Sequence, residues 1–187
     1  MNRVRLLALF LLLPLALSAA DRILKVDRER SYVDVDVKVT VGDFTARLEA
    51  YELTGTVDEK NRIKTAALSF RFADLKTGDR ERDKAMIDWL GGGDPKGRFD
   101  LGIVALTPSG QGQVNGTLAF HDRKSLVEFP VNVVQSNGTF TITGETQIDH
   151  RHWGLKTIRR GFVIKVDPFV TVKFKFTVTA VDAPPAK

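Results

Sequence analysis

A regular alternation of valines with other residues constrains the fold more than any other feature of the sequence. In the segment SYVDVDVKVTV, residues 31–41, every second position from 33 onward is valine, and Asp34, Asp36 and Lys38 lie between them. Successive side chains of a strand point to opposite faces, so this period of two separates the valines from the charges. The segment therefore predicts a half-buried antiparallel strand with solvated carboxylates on its outer face.

The same alternation recurs in five later segments, and turn-forming sequences such as Asn137-Gly138 separate them. Their apolar positions are Leu68, Phe70 and Phe72; Phe99, Leu101 and Ile103; Val127, Phe129, Val131 and Val133; Phe140, Ile142 and Ile148; and Val170, Val172, Phe174, Phe176 and Val178. Many strands joined by short turns predict an all-β protein, either an antiparallel barrel or a sandwich. A barrel of about eight strands can be filled by side chains or can hold one elongated ligand.

One segment departs from the strand pattern. In RERDKAMIDWL, residues 80–90, Met86, Trp89 and Leu90 are spaced to lie on one face of a helix, and three glycines follow as a stop signal. The segment predicts one short amphipathic helix lying across an opening or an edge of the sheet.

The ends of the chain predict export. Residues 1–20 begin with Arg3 and Arg5, continue as a leucine-rich run and finish with small residues, as a secretory signal peptide does. The apolar run is too short to span a bilayer comfortably, so no transmembrane segment is predicted. We expect one domain over residues 21–182 and a flexible tail over residues 183–187.

Composition excludes several functions. The chain contains no cysteine, which rules out disulfides and thiol nucleophiles. Its formal net charge of +5 comes from basic residues interspersed with acids, so we predict no nucleic-acid partner. No Gly-x-Ser-x-Gly motif is present, and the glycine-rich residues 91–98 lack the spacing of a phosphate-binding loop.

Three segments in order resemble the YceI-like family. They are DLKTGDRERDKAMIDWLGGGDPKGRF at residues 74–99, GQVNGTLAFHDRKSLVEFPV at residues 112–131 and IDHRHWGLKT at residues 148–157. The resemblance extends over nearly all of the chain after the predicted signal peptide. It implies a lipocalin-like antiparallel β-barrel, periplasmic in bacteria, that encloses a long isoprenoid chain. A homodimer is also plausible for such a barrel.

A set of aromatic and charged residues forms the predicted ligand site. The aromatic residues are expected to line the ligand or, alternatively, to form ordinary core: Phe70, Phe72, Trp89, Phe99, Phe129, Trp153 and Phe176. Arg82 and Asp83 are expected to pair at the barrel mouth and meet a head group, or else to form a charge network at the helix N-terminus. His150 is expected at the rim, near a polar head group, with Trp153 packing the barrel end.

Two other functions remain open at this stage. His150 and His152 are two residues apart and would point to one side of a strand, with His121 as a third ligand, so a metal-assisted enzyme is one alternative. The other is a stress-related protein-interaction module with a filled barrel. The leading prediction is a non-enzymatic periplasmic carrier of an isoprenoid or other lipid, with no metal and no cofactor.

Overall fold

The computed structural model describes residues 22–160 and 164–183. The predicted signal peptide and the last four residues of the predicted tail lie outside the described residues. In chain order the strands and the helix are β1 (Arg22–Val39), β2 (Phe44–Leu48), β3 (Tyr51–Val57), β4 (Ile63–Arg71), β5 (Leu75–Lys76), α1 (Arg80–Trp89), β6 (Lys96–Leu106), β7 (Gln111–Phe120), β8 (Arg123–Ser136), β9 (Thr139–Asp149), β10 (Arg159–Arg160) and β11 (Ile164–Val181). Two 3₁₀ turns, Phe72–Asp74 and His150–Trp153, complete the set.

The strands form a closed antiparallel barrel of eight strands, as the sequence predicts. Around the barrel the order is β1, β3, β4, β6, β7, β8, β9 and β11, and β11 pairs with β1 to close the sheet. Strand β2 pairs with the second half of β1, next to β3, so the two short strands share one place in the barrel. The remaining short strands, β5 and β10, pair with β2 and β11.

The alternation in β1 has the predicted consequence. Val33 and Val35 face the interior, whereas Asp34 and Asp36 face outward. The carboxylate of Asp34 accepts two hydrogen bonds of 2.7 Å from Arg47, and that of Asp36 lies 2.7 Å from the ammonium of Lys173. Both acids therefore form ion pairs on the outer surface of the barrel, as expected of solvated strand residues.

The prediction for Ile103 was wrong. The pairing of β6 with β7 shifts between Leu101 and Val104, and this bulge turns Ile103 outward, where it is 67% exposed. Val104 takes the inward position instead. Asn115 stabilises the bulge, because its Oδ1 accepts a 2.9 Å hydrogen bond from the backbone N–H of Ile103. An extra residue in one strand reverses the alternation beyond it.

Helix α1 confirms the predicted amphipathic helix. Its N-cap is Asp79, whose side chain accepts hydrogen bonds from the backbone N–H groups of Glu81 and Arg82. The helix ends at Trp89, and Gly91 follows with a φ of +100°, which a residue with a side chain rarely adopts. The helix lies between β5 and β6, at the barrel end where β4 finishes and β6 begins.

Candidate ligand-binding cavity

A cavity of about 980 Å³ occupies the interior of the barrel. All eight barrel strands contribute inward side chains to its wall, and along the middle of the barrel these are aliphatic or aromatic, for example Leu53, Val114, Ile142 and Val172. The volume is at the upper end of the roughly 300–1,000 Å³ typical of small-molecule sites. The barrel is therefore hollow, which the sequence alone left open.

Polar side chains of the wall gather at one end of the barrel, beside α1. They are Thr77, Asp79, Glu81, Arg82, Lys84, Asp88, His150 and Arg159, whereas Thr146 lies farther into the barrel, paired with Val172 of β11. Trp89 ties the helix to this end, since its indole Nε1 donates a 2.8 Å hydrogen bond to the backbone oxygen of Lys156. The cavity thus has a long apolar body and one polar end.

Eight of the ten predicted site residues line the cavity. They are Phe70, Phe72, Arg82, Trp89, Phe99, Phe129, His150 and Phe176. Most of the aliphatic wall was not predicted to belong to the site, although the same alternation that predicts the strands marks those positions as inward. Whether any of them contacts a ligand remains a prediction.

Asp83 does not belong to the cavity wall. Its carboxylate accepts hydrogen bonds from the backbone N–H and the hydroxyl of Thr77, at 2.9 and 2.6 Å, and so fixes the loop that leads into α1. Arg82 does line the cavity, with its guanidinium 4.1 Å from the centre of the Phe44 ring and 3.7 Å from the carboxylate of Asp79. The two residues therefore act separately, and no direct Arg82–Asp83 pair forms.

Trp153 seals the barrel end rather than lining the cavity. It is 1% exposed, its indole Nε1 donates a 3.0 Å hydrogen bond to the backbone oxygen of Leu118, and its ring stacks on Phe120 with centroids 4.7 Å apart. His121 donates from Nδ1 to the Trp153 carbonyl at 2.9 Å. Trp153 therefore packs the barrel end, as expected. It is not part of the cavity wall, so its position does not agree with the expected ligand contact.

The metal alternative assumed that His150 and His152 lie on a strand, but both lie in a 3₁₀ turn. Asp149 ends β9 and accepts a hydrogen bond from the backbone N–H of Arg151, which starts the 3₁₀ turn His150–Trp153. This turn buries His150 in the cavity wall at the barrel end and leaves His152 exposed; the contact of His150 with a polar head group stays a prediction. Among the described residues there is no group of three or more His, Asp or Glu able to hold a metal ion.

His150 is the unusual group of the cavity wall. It is 5% exposed, it lines the cavity, and its ring meets Trp89 edge to face with centroids 4.9 Å apart. Neither ring nitrogen has a hydrogen-bond partner among the described residues. Burial lowers the pKa of His150 below its ordinary value of 6.5, although the charge of Asp149 and the nearby backbone of Leu155 oppose that shift. The ring is therefore neutral at neutral pH.

Comparison with known proteins supplies the family. The sequence model of the YceI-like domain matches residues 24–178, which is most of the chain. The chain belongs to the YceI-like family. No curated protein matches it in sequence.

Solved structures of YceI-like proteins share this fold. BcnA from Burkholderia cenocepacia is 19% identical, with a TM-score of 0.69 over 83% of this chain and 100% of BcnA. The YCEI protein of Campylobacter jejuni is 10% identical, with a TM-score of 0.54 over 79% of this chain and 88% of that protein. A mutant of the latter, crystallised with monobromobimane as a guest, gives a TM-score of 0.56 at 10% identity over the same shares. At these identities the likeness concerns the fold.

Replacing His150 by phenylalanine should stabilise the ligand-free protein. Phenylalanine keeps a ring against Trp89 and removes two buried nitrogens that lack partners, each such group costing on the order of 1–3 kcal/mol. We expect His150→Phe to raise the free energy of unfolding by about 1 kcal/mol in urea denaturation of delipidated protein. His152→Phe, on the exposed side of the same turn, is the control and should change it by less than about 0.5 kcal/mol. A destabilised His150→Phe would contradict this account.

The pH dependence of stability should show two separate declines. In the unfolded chain His150 takes up a proton below about pH 6.5, whereas burial disfavours protonation of the same ring in the folded protein. The free energy of unfolding therefore falls as the pH drops below that value. Hydrogen bonds from the Arg151 side chain hold the pKa of Asp149 at about 2, below its ordinary 3.8, so the stability it contributes is lost only between about pH 4 and 2. In urea titrations across this range, His150→Phe should abolish the first decline and retain the second; an unchanged first decline would refute its assignment to His150.

Proposed function

We propose that the protein is a non-enzymatic carrier that encloses an elongated apolar molecule, an isoprenoid or another lipid, inside its barrel. The observation that carries the proposal is the apolar cavity of about 980 Å³. At the roughly 30 Å³ that one water occupies, this volume accommodates on the order of 30 groups of methylene size. An apolar cavity of that size fits an isoprenoid or a long acyl lipid better than it fits a polar metabolite.

Burial of apolar surface would supply the affinity. Each square ångström of apolar surface removed from water contributes about 25 cal/mol, before the costs of ordering the ligand. The aliphatic and aromatic side chains of the cavity body, such as Val127, Phe129 and Phe174, are suited to such burial and not to acid–base chemistry. The membership in the YceI-like family and the barrel fold shared with BcnA support the same proposal. A homodimer stays a prediction from the sequence.

Blocking the cavity should abolish ligand retention. Val133 lines the cavity, whereas its neighbour Val134 is 55% exposed on the outside of the same strand. We expect native mass spectrometry of the purified wild type to show one bound apolar molecule, which organic extraction releases and identifies. Val133→Trp should lose most of it, because the indole occupies the space of the ligand, while Val134→Trp should retain it.

A thermal melt of each variant confirms that it is folded, and Val172→Phe, in the cavity wall on β11, provides a second block. A wild type that is repeatedly empty and that takes up no lipid from vesicles would contradict the carrier function. So would a Val133→Trp variant that is folded and fully loaded.

We also propose that the carrier works in the periplasm after removal of residues 1–20. The support is the charged start, leucine-rich run and small residues of that segment. No helix among the described residues is both long enough and apolar enough to cross a membrane. N-terminal sequencing of protein recovered from the periplasmic fraction of a bacterial host should begin at Asp21. Full-length chain confined to the cytoplasm would refute export.

A further inference from the structure

The imidazole of His150 is the polar group of the cavity wall that the fold itself does not explain. It is buried to about the same extent as the apolar core, yet both ring nitrogens lack a hydrogen-bond partner among the described residues. Buried polar groups in native proteins are nearly always hydrogen-bonded, so each exception requires a specific reason. In the described part of the chain the hydroxyl of Tyr51 is the other buried side-chain group without a partner, but Tyr51 packs against Phe176 and is not part of the cavity wall.

Among the residues that the structure describes, no side chain around His150 forms a hydrogen bond with its ring nitrogens. Trp89 contacts the ring edge to face, and its only N–H is already bonded to the backbone of Lys156. The adjacent carboxylate of Asp149 is bound by the guanidinium of Arg151 at 2.6 and 2.8 Å. Leu155 lines the cavity at the same end, and its backbone raises the pKa of His150 without making a hydrogen bond of normal geometry to either ring nitrogen. The unused hydrogen-bonding capacity of His150 is thus left for what occupies the cavity.

Two of the three cations of the cavity wall at this end, Lys84 and Arg82, are engaged elsewhere, and Arg159 is the third. The ammonium of Lys84 lies 2.7 Å from the carboxylate of Asp88. Arg82 is held over Phe44 and close to Asp79, as described above. These pairs lie along α1, whereas His150 lies on the turn after β9. The two sets of groups therefore present different chemistry to a ligand: paired ions along the helix, and one neutral ring on the turn that packs against Trp89.

We propose that His150 is the hydrogen-bonding anchor of the cavity and that the ligand it selects ends in a neutral oxygen, a hydroxyl or a carbonyl. A neutral imidazole carries one N–H donor and one acceptor nitrogen. A hydroxyl can use either, and a carbonyl can accept from the N–H. A carboxylate or phosphate would require a cation, and burial disfavours the imidazolium form of this ring. The assignment deepens the proposed carrier function and rests on it.

Matched probes of one chain length test the anchor. We would measure dissociation constants of hexadecanol, its methyl-ketone analogue, hexadecanoate and hexadecane on delipidated protein, by displacement of a fluorescent apolar dye. The wild type should bind the alcohol and the ketone roughly 3- to 10-fold more tightly than the hydrocarbon, as one net hydrogen bond predicts. His150→Phe should bind the hydrocarbon at least as well as the wild type and lose the preference. His150→Gln, which restores a donor and an acceptor, should regain part of it, and His152→Phe should leave it unchanged.

The outcomes separate the anchor from the carrier function. If all four probes bind equally, or if His150→Phe keeps the preference for the alcohol, the anchor is wrong and the carrier function stands. If hexadecanoate binds most tightly and the His150 variants do not alter this, a cation such as Arg159 selects the head group and the anchor is again wrong. If no probe binds and lipid extraction also finds none, the carrier function fails and the anchor fails with it.

Discussion

The cavity depends on the pairing between β1 and β11, because that pairing closes the sheet. In an open sheet the edge strands would present free N–H and C=O groups, and an apolar interior could not be kept from water. The seam runs from Ile23 opposite Val181 to Val39 opposite Val166. Its register shifts between Asp27 and Tyr32, and there side chains replace the missing ladder bonds: Ser31 accepts from the backbone N–H of Thr177 at 2.9 Å.

A series of aromatic contacts packs one end of the barrel that the seam closes. The ring of Phe72 lies 5.2 Å from Phe70 and 5.4 Å from Phe120, and Phe120 stacks on Trp153. The hydrogen bond from the Trp153 indole to the backbone of β7 fixes this plug in position. Because His150 begins the turn that carries Trp153, the same packing holds the imidazole at the cavity wall.

The sequence predicts the barrel but only part of the site, and particular residues show why. Alternation is a local property of the backbone, so inward positions such as Val35 and Val172 can be read directly. Ile103 cannot, because a bulge depends on the partner strand, through Asn115. The separate positions of His150 and Trp153 could not be predicted in full, because the 3₁₀ turn after β9 directs the imidazole to the cavity wall and the indole into the packing of the barrel end. Turns of this kind are set by a capping contact and not by periodicity.

Two buried polar residues, Thr177 and His150, differ in whether the fold satisfies their hydrogen bonds. Thr177 at the seam is 3% exposed, and its backbone N–H and hydroxyl both have partners, the latter at the carbonyl of Arg30. Its polarity is used by the fold, since it bridges an irregular part of the ladder. His150 is buried to a similar degree but contributes no bond to any described residue. A wall built only for stability would use a phenylalanine there, so the imidazole lowers stability at a position where only an occupant of the cavity can satisfy it.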